Sequence, residues 1–142
     1  MNFGSYLFLK LFGQMGNGLF SILLYILLSH VLWFFGIHGT NTLEAVSRRL
    51  FESEVTANQA MAAQGLVPTH MFSKTFLDTF VFIGGSGCAL CMVLALFLAA
   101  RKNNNRRLAK LSLPAVVFNI NELVLFGFPI IFSADMILPF IL

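Results

Sequence analysis

Asn119, Asn121 and Glu122 are the residues best placed to do chemistry, a carboxylate with two amides lying between the apolar runs Leu111–Phe118 and Leu123–Phe132. An ionisable group at membrane depth costs roughly 2.5–3.5 kcal/mol on insertion scales, so one that persists is a functional candidate by default. Together the three side chains offer several hydrogen-bond donors and acceptors to a polyol ligand. The competing account makes Glu122 a buried structural group capping a broken helix, with Asn119 and Asn121 satisfying the backbone groups exposed at the break.

His38 stands in Gly36-Ile37-His38-Gly39-Thr40-Asn41, where the glycines let backbone approach a ligand closely. A neutral imidazole there can accept a hydroxyl proton, and Asn41 is a further candidate for substrate contact; an interfacial side chain is the plainer reading of His38. Asp78 divides evenly between substrate contact and a helix N-terminal charge favoured by the dipole. His30 falls inside an apolar run, as a proton relay or, more simply, an inward-facing residue with a local partner. His70 reads as exposed. Gly84-Gly85-Ser86-Gly87 lacks the Lys-Ser/Thr of a phosphate-cradling loop and reads as a helix break or close-packing segment. Cys88-Ala89-Leu90-Cys91 has CxxC spacing but no second ligand pair, so it reads as packed small residues, and neither a metal nor another cofactor is expected.

These residues need elements to position them. Leu19–Ile37, apolar apart from Ser21, Tyr25, Ser29 and His30, reaches about 28 Å as a helix and predicts a transmembrane segment over 19–37. A more polar stretch, 38–75, predicts a re-entrant or interfacial region, with Glu44–Met61 helical by the spacing of its apolar residues and ended by Gly65 and Pro68. A second transmembrane helix is predicted over 76–100, interrupted at Gly84–Gly87, then a basic cytoplasmic loop over 101–110 in which Asn103–Asn105 form a solvated turn. Two half-length apolar arms with a polar tip, 111–132, predict a re-entrant hairpin, since irregular backbone at that depth must line protein or a water-filled cavity. The remainder, 133–142, is expected to be the start of a further helix, truncated.

Composition sets the same frame. The 142 residues are 58% hydrophobic and 11% charged, against roughly 45–50% and 25% in a soluble domain. A chain this small has too little interior to hide that apolar surface, which excludes an ordinary soluble fold. The net charge of +3 does not signal nucleic acid, because five of the nine basic residues lie between Arg101 and Lys110 beside a long apolar segment, the pattern of a cytoplasmic loop. Lys10 interrupts the opening apolar run and no signal-peptide cleavage pattern follows. The expected fold class is therefore all-α integral membrane, with transmembrane helices and re-entrant helical hairpins.

Three blocks in order, Trp33-Phe34-Phe35-Gly36-Ile37-His38-Gly39, Phe80-Val81-Phe82-Ile83-Gly84-Gly85-Ser86-Gly87, and Asn119-Ile120-Asn121-Glu122 with Phe126-Gly127-Phe128-Pro129-Ile130, resemble the lactose/cellobiose/chitobiose family of phosphotransferase-system permease subunits (enzyme IIC). The resemblance implies a subunit of the bacterial cytoplasmic (inner) membrane, multi-pass and homodimeric when intact. It implies that a disaccharide or β-glucoside is carried across the bilayer and phosphorylated by a phosphocysteine-bearing IIB partner. It also implies that His38 and Glu122, at the tips of two hairpins, meet the sugar as the catalytic pair, with Asn119 and Asn121 shaping the pocket. The resemblance runs from about Leu19 to Leu142 and covers only the hairpin region of a considerably longer subunit, so a fragment of this extent is expected to be inactive alone. The sequence departs from the family at Leu123, where proline usually follows Asn-Ile-Asn-Glu, which predicts a less rigid tip. Two rival readings stand beside it: a permease-like sensory module attached to a signalling domain, and a non-functional gene fragment.

Overall fold

A computed structural model describes residues 3–13, 15, 16, 18–128 and 130–141. Pro129 of the third family block and Leu142 of the expected final helix lie outside the described residues. Among these residues the regular structure is entirely helical. The chain divides into two compact units, one formed by the residues up to Ser29 with His38–Thr79, the other by His30–Ile37 with the residues from Phe80 onward.

The first unit contains α1 (Phe3–Phe12) and the first part of α2 (Leu19–Phe34). A helical run follows, built from α3 (Gly39–Thr42), α4 (Glu44–Ser47), a π turn (Arg48–Glu52) and α5 (Ser53–Ala63). Leu43, Val46, Leu50 and Phe51 recur at helical spacing and are buried, so one apolar stripe holds this run against its neighbours. Tyr25 closes the core by meeting Phe51 edge to face, ring centroids 5.4 Å apart. Gly65, at φ +72°, stops the helix. Beyond it, Asn58 bonds both backbone groups of His70, and the His70 ring pairs with Glu54, so His70 is exposed, as the sequence suggests, and also held in place by these partners. Then come α6 (Lys74–Phe76), capped by the Ser73 side chain, and a second π turn (Leu77–Val81).

The second unit holds the end of α2, α7 (Ala89–Ala99), α8 (Asn103–Val117), α9 (Glu122–Gly127), and a 3₁₀ turn (Ala134–Met136) leading into α10 (Ile137–Ile141). Trp33, Phe34, Ala89, Val93, Ala109, Val116, Val124, Leu125, Ile130 and Phe140 form its buried core. α8 packs on α7 through a face that includes Ala109, Ser112 and Val116, all fully buried. α9 packs on α8, and Gly127 permits the approach because a Cβ there would lie 2.7 Å from Leu108 Cδ1.

Several boundaries differ from the sequence expectation. α2 ends at Phe34, where Gly36 at φ +74° turns the chain, and its sixteen residues reach about 24 Å. Residues 76–100 are not one helix: the π turn gives way to irregular backbone before α7 begins at Ala89. The expected basic loop and its asparagine turn are already helix, since α8 starts at Asn103. Among the described residues no helix is long and apolar enough to cross a membrane.

Candidate functional site

The polar tip of the hairpin is made by the chain leaving α8 and entering α9. Asn119 takes the left-handed conformation, φ +62°, which asparagine tolerates far better than a branched residue. That bend aims its side chain at the glycine segment: the Gly84 N–H donates to Asn119 Oδ1 at 2.7 Å. Two residues on, Asn121 is buried and its Nδ2 donates to the Ser86 carbonyl at 3.1 Å. From the other side the Gly87 N–H donates to His30 Nε2 at 2.7 Å. The break at Gly84–Gly87 is therefore a loop clamped at three successive points by Asn119, Asn121 and His30.

Glycine is required inside that clamp. Gly85 has φ +91°, and a Cβ added there would sit 2.6 Å from Asn121 Cβ. His30 is buried between aromatic rings, stacked on Phe82 at 6.3 Å and edge-on to Phe140 at 5.6 Å. Since Nε2 accepts the Gly87 proton, the ring is held with its own proton on Nδ1. Replacing His30 by Leu leaves the Gly87 donor without its acceptor and is expected to cost about 1–3 kcal/mol. His30→Gln, whose carbonyl oxygen reaches a similar position, should cost less. Thermal unfolding of both variants in detergent checks this, and equal melting temperatures would contradict the clamp.

Glu122 follows directly as the first residue of α9, half-buried, with Oε2 withdrawn from solvent. The tip thus brings Asn119, Asn121 and Glu122 onto one turn, but gives both amides partners in the glycine loop.

His38 and Asn41 belong to the other unit and form a local cap. His38 is the N-cap of α3, its Nδ1 accepting from the Asn41 N–H at 3.3 Å and lying 3.2 Å from Thr40 Oγ1. Accepting at Nδ1 places the ring proton on Nε2. In this arrangement the imidazole is a donor at Nε2, whereas the sequence reading made it a proton acceptor. Gly39 beside it is needed for packing, because a Cβ would run into the Ser29 backbone. Asp78, also in the first unit, is exposed on the second π turn and paired with Lys74 at 2.9 Å.

Cys88 and Cys91 are both exposed, which corrects the expectation of packed small residues. With Met92, Phe128, Met136 and Phe140 they line an apolar cavity of about 440 Å³, to which none of the polar tip residues contributes. Among the described residues no group of three or more His, Cys, Asp or Glu side chains is placed to hold a metal ion.

A family model described as "Phosphotransferase system, EIIC" matches residues 1–142. The chain belongs to this family. Among curated relatives of this EIIC chain, the lichenan permease IIC component of Bacillus subtilis (strain 168) is 37% identical over 112 residues, covering 79% of the chain and 25% of that protein. The cellobiose-specific EIIC component of Lactococcus lactis subsp. lactis (strain IL1403) is 31% identical, covering 91% of the chain and 30% of its own length. The crystal structure of the transporter ChbC, the IIC component of an N,N'-diacetylchitobiose-specific phosphotransferase system, superposes with a TM-score of 0.86 at 32% identity, over 96% of the chain and 32% of that structure. The chain spans about a quarter to a third of the length of these proteins. EIIC proteins are membrane components, and the membrane location of this EIIC chain follows from its family rather than from any single helix of its own.

Proposed function

We propose that this chain is the hairpin-bearing part of a sugar-translocating EIIC subunit, in which the Asn119–Glu122 turn binds a disaccharide or β-glucoside of the cellobiose, chitobiose or lactose type. The observation that carries the reading is a carboxylate held at the end of a clamped polar turn, in a chain whose outer residues include Phe20, Phe80, Leu111 and Phe118 well exposed. Apolar surface on that scale needs lipid or further protein against it. The reading keeps the multi-pass cytoplasmic membrane location, with α8 and α9 as the arms of a re-entrant hairpin, and the homodimer of the intact subunit. The partial domain is taken to comprise residues 1–142.

Chemically, Glu122 is suited to accept the hydrogen bond of a sugar hydroxyl, and Asn119 and Asn121 act first by fixing the turn that presents it. His38, with Asn41 setting its tautomer, is suited to donate from Nε2 to a hydroxyl or phosphoryl oxygen. Asp78, paired to Lys74, is the weakest of the proposed sugar contacts. In the transfer, the hydroxyl oxygen bonds to phosphorus as the S–P bond of a phosphocysteine on the IIB partner breaks. The thiolate leaves, and the hydroxyl proton passes to Glu122. Isothermal titration of cellobiose, N,N'-diacetylchitobiose and lactose into the detergent-purified full chain, with the α-linked disaccharide maltose as comparison, tests the proposal. Binding of at least one β-linked sugar and not of maltose is expected; no binding of any would refute it.

A further inference from the structure

The second unit carries positive charge that the sugar chemistry does not use. Arg101, Lys102, Arg106, Arg107 and Lys110 are all exposed, and the sequence holds no carboxylate between Asp78 and Glu122 to compensate them. Three of the five, Arg106, Arg107 and Lys110, line a surface cavity of about 500 Å³ together with Asn103 and the half-buried ring of Phe97. That volume lies within the range of about 300–1,000 Å³ usual for small-ligand sites.

Three like charges around one concavity repel each other, and Arg106 and Lys110 do so across a helical turn. Asn103 opens α8, and its cap residue Lys102 makes no side-chain bond to the first turn, so the positive end of a fifteen-residue helix adds to the same field. Phe97 comes from α7, an element of wholly apolar residues and one cysteine. The cavity is thus cationic on the α8 side and aromatic on the α7 side, at the point where the chain changes from lipid-like to water-like composition.

We infer that this cavity binds the phosphate-ester headgroup of an anionic phospholipid, with Arg106, Arg107 and Lys110 on the phosphate oxygens and Phe97 against the upper acyl carbons. Guanidinium groups match phosphate oxygens in bidentate fashion. A free phosphate ion would use the cations and leave Phe97 without a role; a soluble acidic partner would not need an apolar wall. The inference rests on the membrane location and is independent of the sugar assignment.

The test titrates the detergent-purified full chain with dioctanoyl phosphatidylglycerol, dioctanoyl phosphatidylcholine and inorganic phosphate, reading bound adducts by native mass spectrometry. Phosphatidylglycerol should bind at least about tenfold more tightly than the other two. With each juxtamembrane basic residue contributing about fivefold, Arg106→Gln with Arg107→Gln should weaken it about 25-fold. Arg101→Gln with Lys102→Gln, outside the cavity, should stay within about twofold. Lys110→Gln, expected to lose about fivefold, serves if the double arginine variant does not fold. Phosphate binding as tightly as the lipid would reassign the cavity to a free anion. Equal binding of phosphatidylcholine, or equal loss in both double variants, would overturn a specific headgroup site. Lipid binding without any sugar binding would sink the sugar proposal alone.

Discussion

Glu122→Gln in the full chain is expected to weaken binding of the preferred β-linked disaccharide by about 10- to 150-fold while leaving the fold in place. The substitution keeps volume and the carbonyl oxygen, but turns the other acceptor into an NH₂ donor, so a hydroxyl that donated to it meets a second donor instead. Losing a hydrogen bond to a charged or strongly polar partner costs about 1.5–3 kcal/mol, which corresponds to that range. Its structural cost should be small, since Glu122 is the first residue of the short α9 and the clamp bonds run through Asn119, Asn121 and His30. Loss of a helix-terminal charge costs about 2 kcal/mol at most at a half-buried position such as this. Titration calorimetry beside thermal unfolding separates the two effects. Unchanged sugar affinity in Glu122→Gln, with wild-type stability, would remove Glu122 from the proposed site.

Much of the local architecture is legible in the residues themselves. The helical run that follows His38 announces itself through the spacing of Leu43, Val46, Leu50 and Val55, the first three of them buried, and its end through Gly65. The hairpin tip shows as a polar interruption between apolar arms, and the structure places the helix break there, between Val117 and Glu122. What is not legible depends on partners far along the chain. Asn119 and Gly84 are 35 residues apart, and Gly87 and His30 are 57 apart; no local spacing encodes either bond. The basic run was misleading for a different reason. Arg and Lys favour helix nearly as well as Leu, so a charged exposed stretch can continue a helix whose inner face is set by Ala109 and Ser112. The exposure of Cys88 and Cys91 likewise follows from how α7 packs, not from their spacing. The His38 tautomer follows from a backbone N–H three residues on, which the sequence contains but cannot orient.

Gly85→Ala should be strongly destabilising for a single added methyl, costing about 2–5 kcal/mol. Two effects add. A left-handed backbone costs an L-residue about 1–2 kcal/mol, and the φ of +91° at Gly85 is further from the preferred left-handed well than that of Asn119. The new methyl would also lie 2.6 Å from Asn121 Cβ and 2.7 Å from Cγ, so Asn121 must move; overpacking of this kind costs about 1–3 kcal/mol. Asn121 cannot yield freely, because it is buried and bonded to Ser86. Gly65→Ala isolates the first effect, since Gly65 has φ +72° with open space around it and should lose only about 1–2 kcal/mol. Melting temperatures in detergent compare the two directly. The steric part should be shared with Asn121, so Gly85→Ala combined with Asn121→Ala is expected to cost less than the sum of the single changes. Because Glu122 is the next residue along the chain, the displacement of Asn121 should also lower sugar affinity in Gly85→Ala, and not in Gly65→Ala. If the two alanine substitutions prove equally mild, the glycine loop and the Asn119–Glu122 turn are not packed as one body, and the clamp cannot be what presents the carboxylate.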